Sequence, residues 1–263
     1  MTTTNRPTFI LGIHHFCDHR CWRCELSTRC AVFARWEEAL ARGPAPTEPA
    51  SRLAAILSIS LEVTMDEAAM LFARGSIKPA RGGETVEPVA VPEDDDRVER
   101  ATRDPLVARG AEYARLSWPV LRAQRPALER RGDKPAADAA LRLEEMCATL
   151  ASKIFRAVSS SLDPDYRSSD LQSDANGSAK VALLLIEESR QAWRELMQPD
   201  RAYANGLPAR AVLLLEDLES DLLQRFPRAL EFVRPGFDTG DAEGSSAQLA
   251  RALLDAGRMR GTA

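Results

Sequence analysis

Between Pro135 and Ala157 the apolar positions Ala136, Ala140, Leu143, Cys147, Leu150, Ile154 and Ala157 alternate in steps of four and three. That period aligns one face of an α-helix and cannot align one face of a strand. It recurs along most of the chain. Asp104-Pro105 supplies an N-cap followed by a first-turn proline, and Val107, Ala111, Ala114, Trp118, Leu121 and Leu128 step away from it. Pro119 and Pro126 predict a kink there. A further helix is expected from Ser178 to Gln198 with Ala182, Ile186, Ser189, Trp193 and Leu196 inward, and another from Pro208 to Arg225 on Val212, Leu215, Leu218 and Leu222. Nearer the start, Val32, Phe33, Trp36 and Leu40 make a short stripe. Leu53, Ile56, Leu57, Met65, Ala68 and Leu71 make a longer one, from Ser51 to about Arg74. Thr64 and Glu67 have the spacing of a capping box that would start a second helix there. Phe9 to Ile13 is the one strand-like run. The expected fold is therefore all-α, a helical bundle carrying a small N-terminal knot built on four cysteines.

Composition shifts divide the chain. Residues 1–43 hold the cysteine-rich knot and a following helix, which Gly43-Pro44-Ala45-Pro46 ends, and 44–75 form a helical segment. Residues 76–100 read as an acidic Pro/Gly linker, since six acidic and no basic side chains lie between Glu84 and Asp96. The bundle spans 101–236, and 237–263 form a polar tail with a terminal helix over Ala247 to Ala256. Apolar runs fall far short of the ~20 residues that cross a bilayer. The first seven residues lack the apolar core of an export signal, so the expected compartment is the cytoplasm.

In that reducing compartment cysteines favour metal or redox chemistry over disulfides. Of five cysteines, Cys17, Cys21, Cys24 and Cys30 fall within fourteen residues as C-x3-C-x2-C-x5-C. Four soft thiolates this close can wrap a tetrahedral zinc ion or an iron–sulfur cluster at little loop-closure cost. Neighbouring Arg20, Arg23 and Arg29 offset thiolate charge. All three histidines, His14, His15 and His19, flank the cluster, as exposed loop residues, as ligands or as hydrogen-bond donors to ligands. Trp22, between two of the cysteines, is expected to shield the metal from water.

The trailing Cys21-x2-Cys24-x5-Cys30 resembles the iron–sulfur loops of the endonuclease III family of DNA glycosylases and of the SPASM extensions of radical enzymes. That resemblance implies a [4Fe–4S] cluster, with zinc as the alternative. The leading Cys17-x3-Cys21-x2-Cys24 is also the spacing of radical S-adenosylmethionine enzymes. Those enzymes need βα units after the motif, an open iron site and usually an aromatic residue before the last cysteine. This chain continues as helices, offers Cys30 as a fourth ligand and has Arg23 at that position, so the context argues against that chemistry.

Residues 20–263 contain no histidine, which removes Ser–His–Asp, Cys–His, H-E-x-x-H and Glu-x-x-His chemistry from the helical body. No catalytic residue can be assigned. Cys147 lies on an apolar stripe and reads as a core thiol, as Trp36, Trp118 and Trp193 read as core aromatics. Asp163, Asp165, Asp170 and Asp174 lack the glycine and terminal glutamate of a calcium loop and read as a solvated connection, with Asp174 or Ser178 capping the next helix. Asn176-Gly177-Ser178-Ala179-Lys180 offers a weak anion-binding alternative. Residues 97–131 hold nine arginines against four acids. Arg109, Arg115 and Arg122, six and seven apart, are expected on one face, either solvated and neutralised by the acidic linker or touching nucleic acid. The net charge of −4 supplies no global attraction to nucleic acid or anionic lipid. The expected function is an accessory or binding protein whose metal orders an N-terminal loop for a protein partner. The alternative is an iron–sulfur redox or electron-transfer protein, alone or within an oxidoreductase.

Overall fold

The computed structural model describes residues 9–74, 96–197 and 206–238, all helical or irregular. Among them lie seven helices and no strand: α1 (Ala31–Arg42), α2 (Pro49–Ala73), α3 (Arg97–Arg103), α4 (Pro105–Arg130), α5 (Lys134–Ser161), α6 (Asp174–Leu196) and α7 (Leu207–Arg225). No described helix is long and apolar enough to cross a membrane. The chain divides into two compact units, Asp96–Phe232 and a discontinuous one made of Met1–Asp95 with Val233–Ala263. The expected linker over 76–95 and the expected terminal helix lie outside the described residues, and α3 begins inside the stretch read as linker.

In the Asp96–Phe232 unit, α5 packs on α4 and α6, and α7 closes the ring against both α4 and α6, so four long helices make a bundle with α3 against α4 and α5. Every member of the α5 stripe from Ala136 to Ala157 is buried, as are Ala182, Ile186, Ser189, Trp193 and Leu196 of α6. Asp104 caps α4 by accepting the Leu106 N–H at 2.9 Å. The α4 chain continues through Pro119 and Pro126, each of which removes one backbone donor.

The inward face of α4 is not the expected one. Leu106, Gly110, Tyr113, Ser117 and Leu121 are buried, a stripe displaced one residue from Val107, Ala111, Ala114 and Trp118. Small residues explain the shift. A Cβ on Gly110 would stand 2.9 Å from Ile154 Cδ1, so glycine lets α4 lie close on α5. Tyr113 then reaches the core, where its hydroxyl accepts the Trp193 indole N–H at 3.1 Å. Trp118 is left half-buried beneath the Arg122 guanidinium, 5.2 Å from the ring centroid. Cys147 is fully buried, and burial pushes its thiol up to about 12, so it is an inert core group.

Two caps also differ from expectation. Ser173, rather than Asp174 or Ser178, caps α6 by accepting the Asn176 N–H at 3.2 Å, and Asp174 instead pairs with Arg156. Asn176, Gly177 and Ser178 are therefore buried helical residues and present no amides to an anion, while Lys180 donates to the Phe232 carbonyl at 2.6 Å. The arginine face is likewise broken up. Six helical residues turn the chain so that Arg109 and Arg115 point about 120° apart. Arg109 pairs with Asp221 of α7 and Arg122 covers Trp118.

In the discontinuous unit, α1 packs on α2 around Ile10, Ile13, Val32, Trp36, Ile56 and Val63. The α2 helix runs unbroken through Thr64 and Glu67, so the expected capping box does not form. The Thr64 hydroxyl bonds back to the Ser60 carbonyl at 2.8 Å within the helix. Its buried stripe is Ile56, Ser60, Val63, Glu67 and Leu71, whereas Leu57 and Met65 are exposed. The strand-like run Phe9 to Ile13 forms no strand and leads into a 3-10 turn over Ile13–Phe16.

Candidate metal centre

The segment before α1 carries too many small loops to form a long helix, and three short 3-10 turns, Ile13–Phe16, Cys21–Arg23 and Ser27–Arg29, fold it onto itself. The Ile10 N–H donates to the Arg29 carbonyl at 2.9 Å, joining the two ends of the loop. Inside it, Cys17, Cys21, Cys24 and Cys30 all line one cavity of about 310 Å³ including its open mouth. Phe33 from α1 and Phe237 from the returning chain form apolar wall. Cys21 and Cys30 belong to the unit's apolar core, and Cys17 and Cys24 are half-buried.

Burial raises the Cys21, Cys24 and Cys30 thiols above their usual range, and for Cys21 the other three sulfurs push further in the same direction. Backbone donors pull the other way. Cys30 occupies the N-cap of α1, where the Phe33 and Val32 amides face its sulfur, and the Leu26 amide serves Cys24. These are N–H groups aimed at positions where thiolate charge would sit, at the positive end of a helix for Cys30. A bound cation would supply the missing counter-charge and release the protons.

The sulfur spacing bears on which cation fits. Among the described residues, the group of three or more His, Cys, Asp or Glu with ligand atoms all within 4.8 Å of one another is His14, His15 and Glu67, not a set of cysteines. Four thiolates around zinc at ~2.3 Å would stand roughly 4 Å apart. No three of the cysteine sulfurs meet that spacing.

The neighbours of the sulfurs are better ordered than the sequence suggests. Cys17 Sγ donates to the His14 carbonyl at 3.4 Å and lies 3.7 Å from His19 Nδ1. His14 and His19 are buried and His15 half-buried, so none is an exposed loop histidine. His19 holds a left-handed backbone, φ 58°, which is uncommon outside glycine. Arg20 lines the cavity but is paired with Asp18 through Nε at 2.8 Å, while Arg23 is exposed. Trp22 is 37% exposed, lies outside the cavity lining and stacks under Arg52 at 4.5 Å. It does not shield the sulfurs.

Glu67 is the residue that sequence reasoning missed. From α2 its Oε2 accepts the Gly12 N–H at 3.1 Å, and burial pushes its carboxyl up to about 7 against the lowering effect of that bond. A carboxylate on the inward stripe of an amphipathic helix was the available signal. Comparison with protein-family models, with curated proteins and with solved structures found no match to this chain. A protein whose described residues are helical or irregular, with a cysteine-lined cavity in its discontinuous unit, is the class that its own fold and geometry define.

Proposed function

We propose that Cys17, Cys21, Cys24 and Cys30 hold an iron–sulfur cluster of the [4Fe–4S] type, and that the cluster orders the N-terminal loop of an accessory or binding protein for recognition by a protein partner. The observation that carries this reading is that all four cysteines line one cavity while no three of their sulfurs lie within 4.8 Å of one another. That favours a multi-atom cluster over a single zinc ion, and the donor set is the soft one such clusters use.

The ordering role rests on where the cysteines sit. Two of the eight buried members of the unit's described apolar core are cysteines. Metal ligation in a core is coupled to the folding of the segments that supply the ligands. When bound, the cluster would bridge the three turns and α1 through sulfur, fixing the exposed ridge around Trp22. A closed four-thiolate set leaves no iron position for substrate, which argues for an ordering role.

The test is anaerobic purification followed by iron, sulfide and zinc analysis, with hydrogen exchange over residues 10–30 before and after chelation. About four iron and four sulfide per chain, with amides that lose protection on chelation, is the expected result. A colourless protein holding one zinc, or exchange indifferent to metal, would sink the reading. Reversible bleaching by dithionite at unchanged loop protection would point instead to electron transfer, a reading that half-exposed Cys17 and Cys24 favour because they place the cavity near solvent.

A further inference from the structure

We infer that His14, His15 and Glu67 form a second cation site, of nitrogen and oxygen donors, for a divalent first-row transition metal. One ligand atom from each lies within 4.8 Å of the others, although Glu67 comes from α2 and the histidines from the turn Ile13–Phe16. Two imidazoles and one carboxylate are a donor set suited to iron(II) or zinc(II), with the remaining positions left to water.

The surroundings support each donor. Glu67 is buried and its Oε2 is held by the Gly12 N–H, so the carboxylate is fixed relative to the turn. The Thr64 hydroxyl gives its hydrogen to the Ser60 carbonyl at 2.8 Å and therefore accepts at His14 Nε2, 2.9 Å away. With the Thr64 hydroxyl accepting, His14 Nε2 is the donor, which leaves the second ring nitrogen of the neutral form to carry the lone pair a cation needs. His15 stacks on His14 with centroids 4.2 Å apart and is half-buried, which leaves solvent a way in. A shared cation would give both rings and the buried carboxylate a common ligand position. The cysteines are not needed for this set. His14 also lines the sulfur cavity, so the two sites would be neighbours.

Cobalt(II) titration of the metal-free full chain under reducing, anaerobic conditions tests this, because thiolate-bound cobalt has intense sulfur-to-metal charge-transfer bands and a nitrogen–oxygen site has only weak d–d bands. In the chain carrying Cys17→Ser, Cys21→Ser, Cys24→Ser and Cys30→Ser together, one cobalt per chain with d–d bands alone is expected. In the chain with all its cysteines, Glu67→Gln and His15→Ala should each weaken one non-thiolate cobalt at least tenfold and leave the charge-transfer bands in place. Glu67→Gln keeps an acceptor for the Gly12 N–H, which preserves the fold. Unchanged cobalt stoichiometry and affinity in both single variants overturns the inference. Charge-transfer bands report the cysteines separately, so either site can fail while the other stands.

Discussion

Gly236 is the position where one added methyl group should most clearly disturb the cysteine cavity. Its φ is +75°, and a Cβ there would lie 2.7 Å from Ile10 Cδ1, 3.1 Å from Leu26 Cδ1 and 3.3 Å from Ile13 Cδ1. Two costs add in Gly236→Ala. An L-residue in the left-handed region costs about 1–2 kcal/mol, and displacing the ends of the Ile10, Leu26 and Ile13 side chains, of which Ile10 and Ile13 are buried, adds up to about 3 kcal/mol, so a total above the backbone cost alone and up to about 5 kcal/mol is expected. Gly132→Ala is the control, because φ there is +73° but nothing lies within 4 Å of its Cβ, which leaves only the backbone cost. Each variant is followed in the unfolding of its own unit, by hydrogen exchange in rising urea, since two units need not unfold as one. Phe237 follows Gly236 and lines the cavity, so metal retention should fall in Gly236→Ala as well. A Gly236→Ala penalty no larger than that of Gly132→Ala would refute the packing argument.

Cys24→Ser should lose bound metal and loosen residues 10–30 while the bundle transition is unchanged, as read by metal analysis and circular dichroism. Tyr113→Phe removes the acceptor of the buried Trp193 N–H and should destabilise the bundle by about 1–3 kcal/mol, visible as a lower urea midpoint with unchanged slope. Burial works against the Asp174 carboxylate, but Arg156, with Ser160 and Lys153, outweighs it and holds its pKa below the ordinary 3.8. Its contribution is therefore present above the unfolded value and lost as pH falls through the lower folded one. Urea titrations below about pH 4 should show that loss in the native chain and a shallower acid slope in Asp174→Asn.

The helices were legible because apolar spacing is a local property, and α5 and α6 follow it residue for residue. The face of α4 was not, since Gly110 and Ser117 bury themselves by allowing close approach, which a search for large apolar residues passes over. Leu57 and Met65 misled on α2 for the same reason: the inward stripe uses Ser60 and Glu67. The four cysteines were visible as a cluster, and their shared cavity is a property of the turns that the spacing alone does not give. Glu67 lies fifty-five residues from the Gly12 amide it holds. Only the tertiary packing of the turn on α2 brings the two together.

The unit that holds the sulfurs is finished only by chain that follows the bundle, because Gly236 and Phe237 return to it after Phe232. During synthesis Cys17 to Cys30 emerge before that segment, and at ordinary elongation rates roughly 7–27 s pass while the intervening Asp96–Phe232 segment is made. Throughout that interval Phe33 is present but Phe237, the other aromatic part of the wall, is not. Any insertion of metal on the ribosome would therefore meet an open half-site, and the last step in closing it belongs to residues translated after the bundle can already have folded.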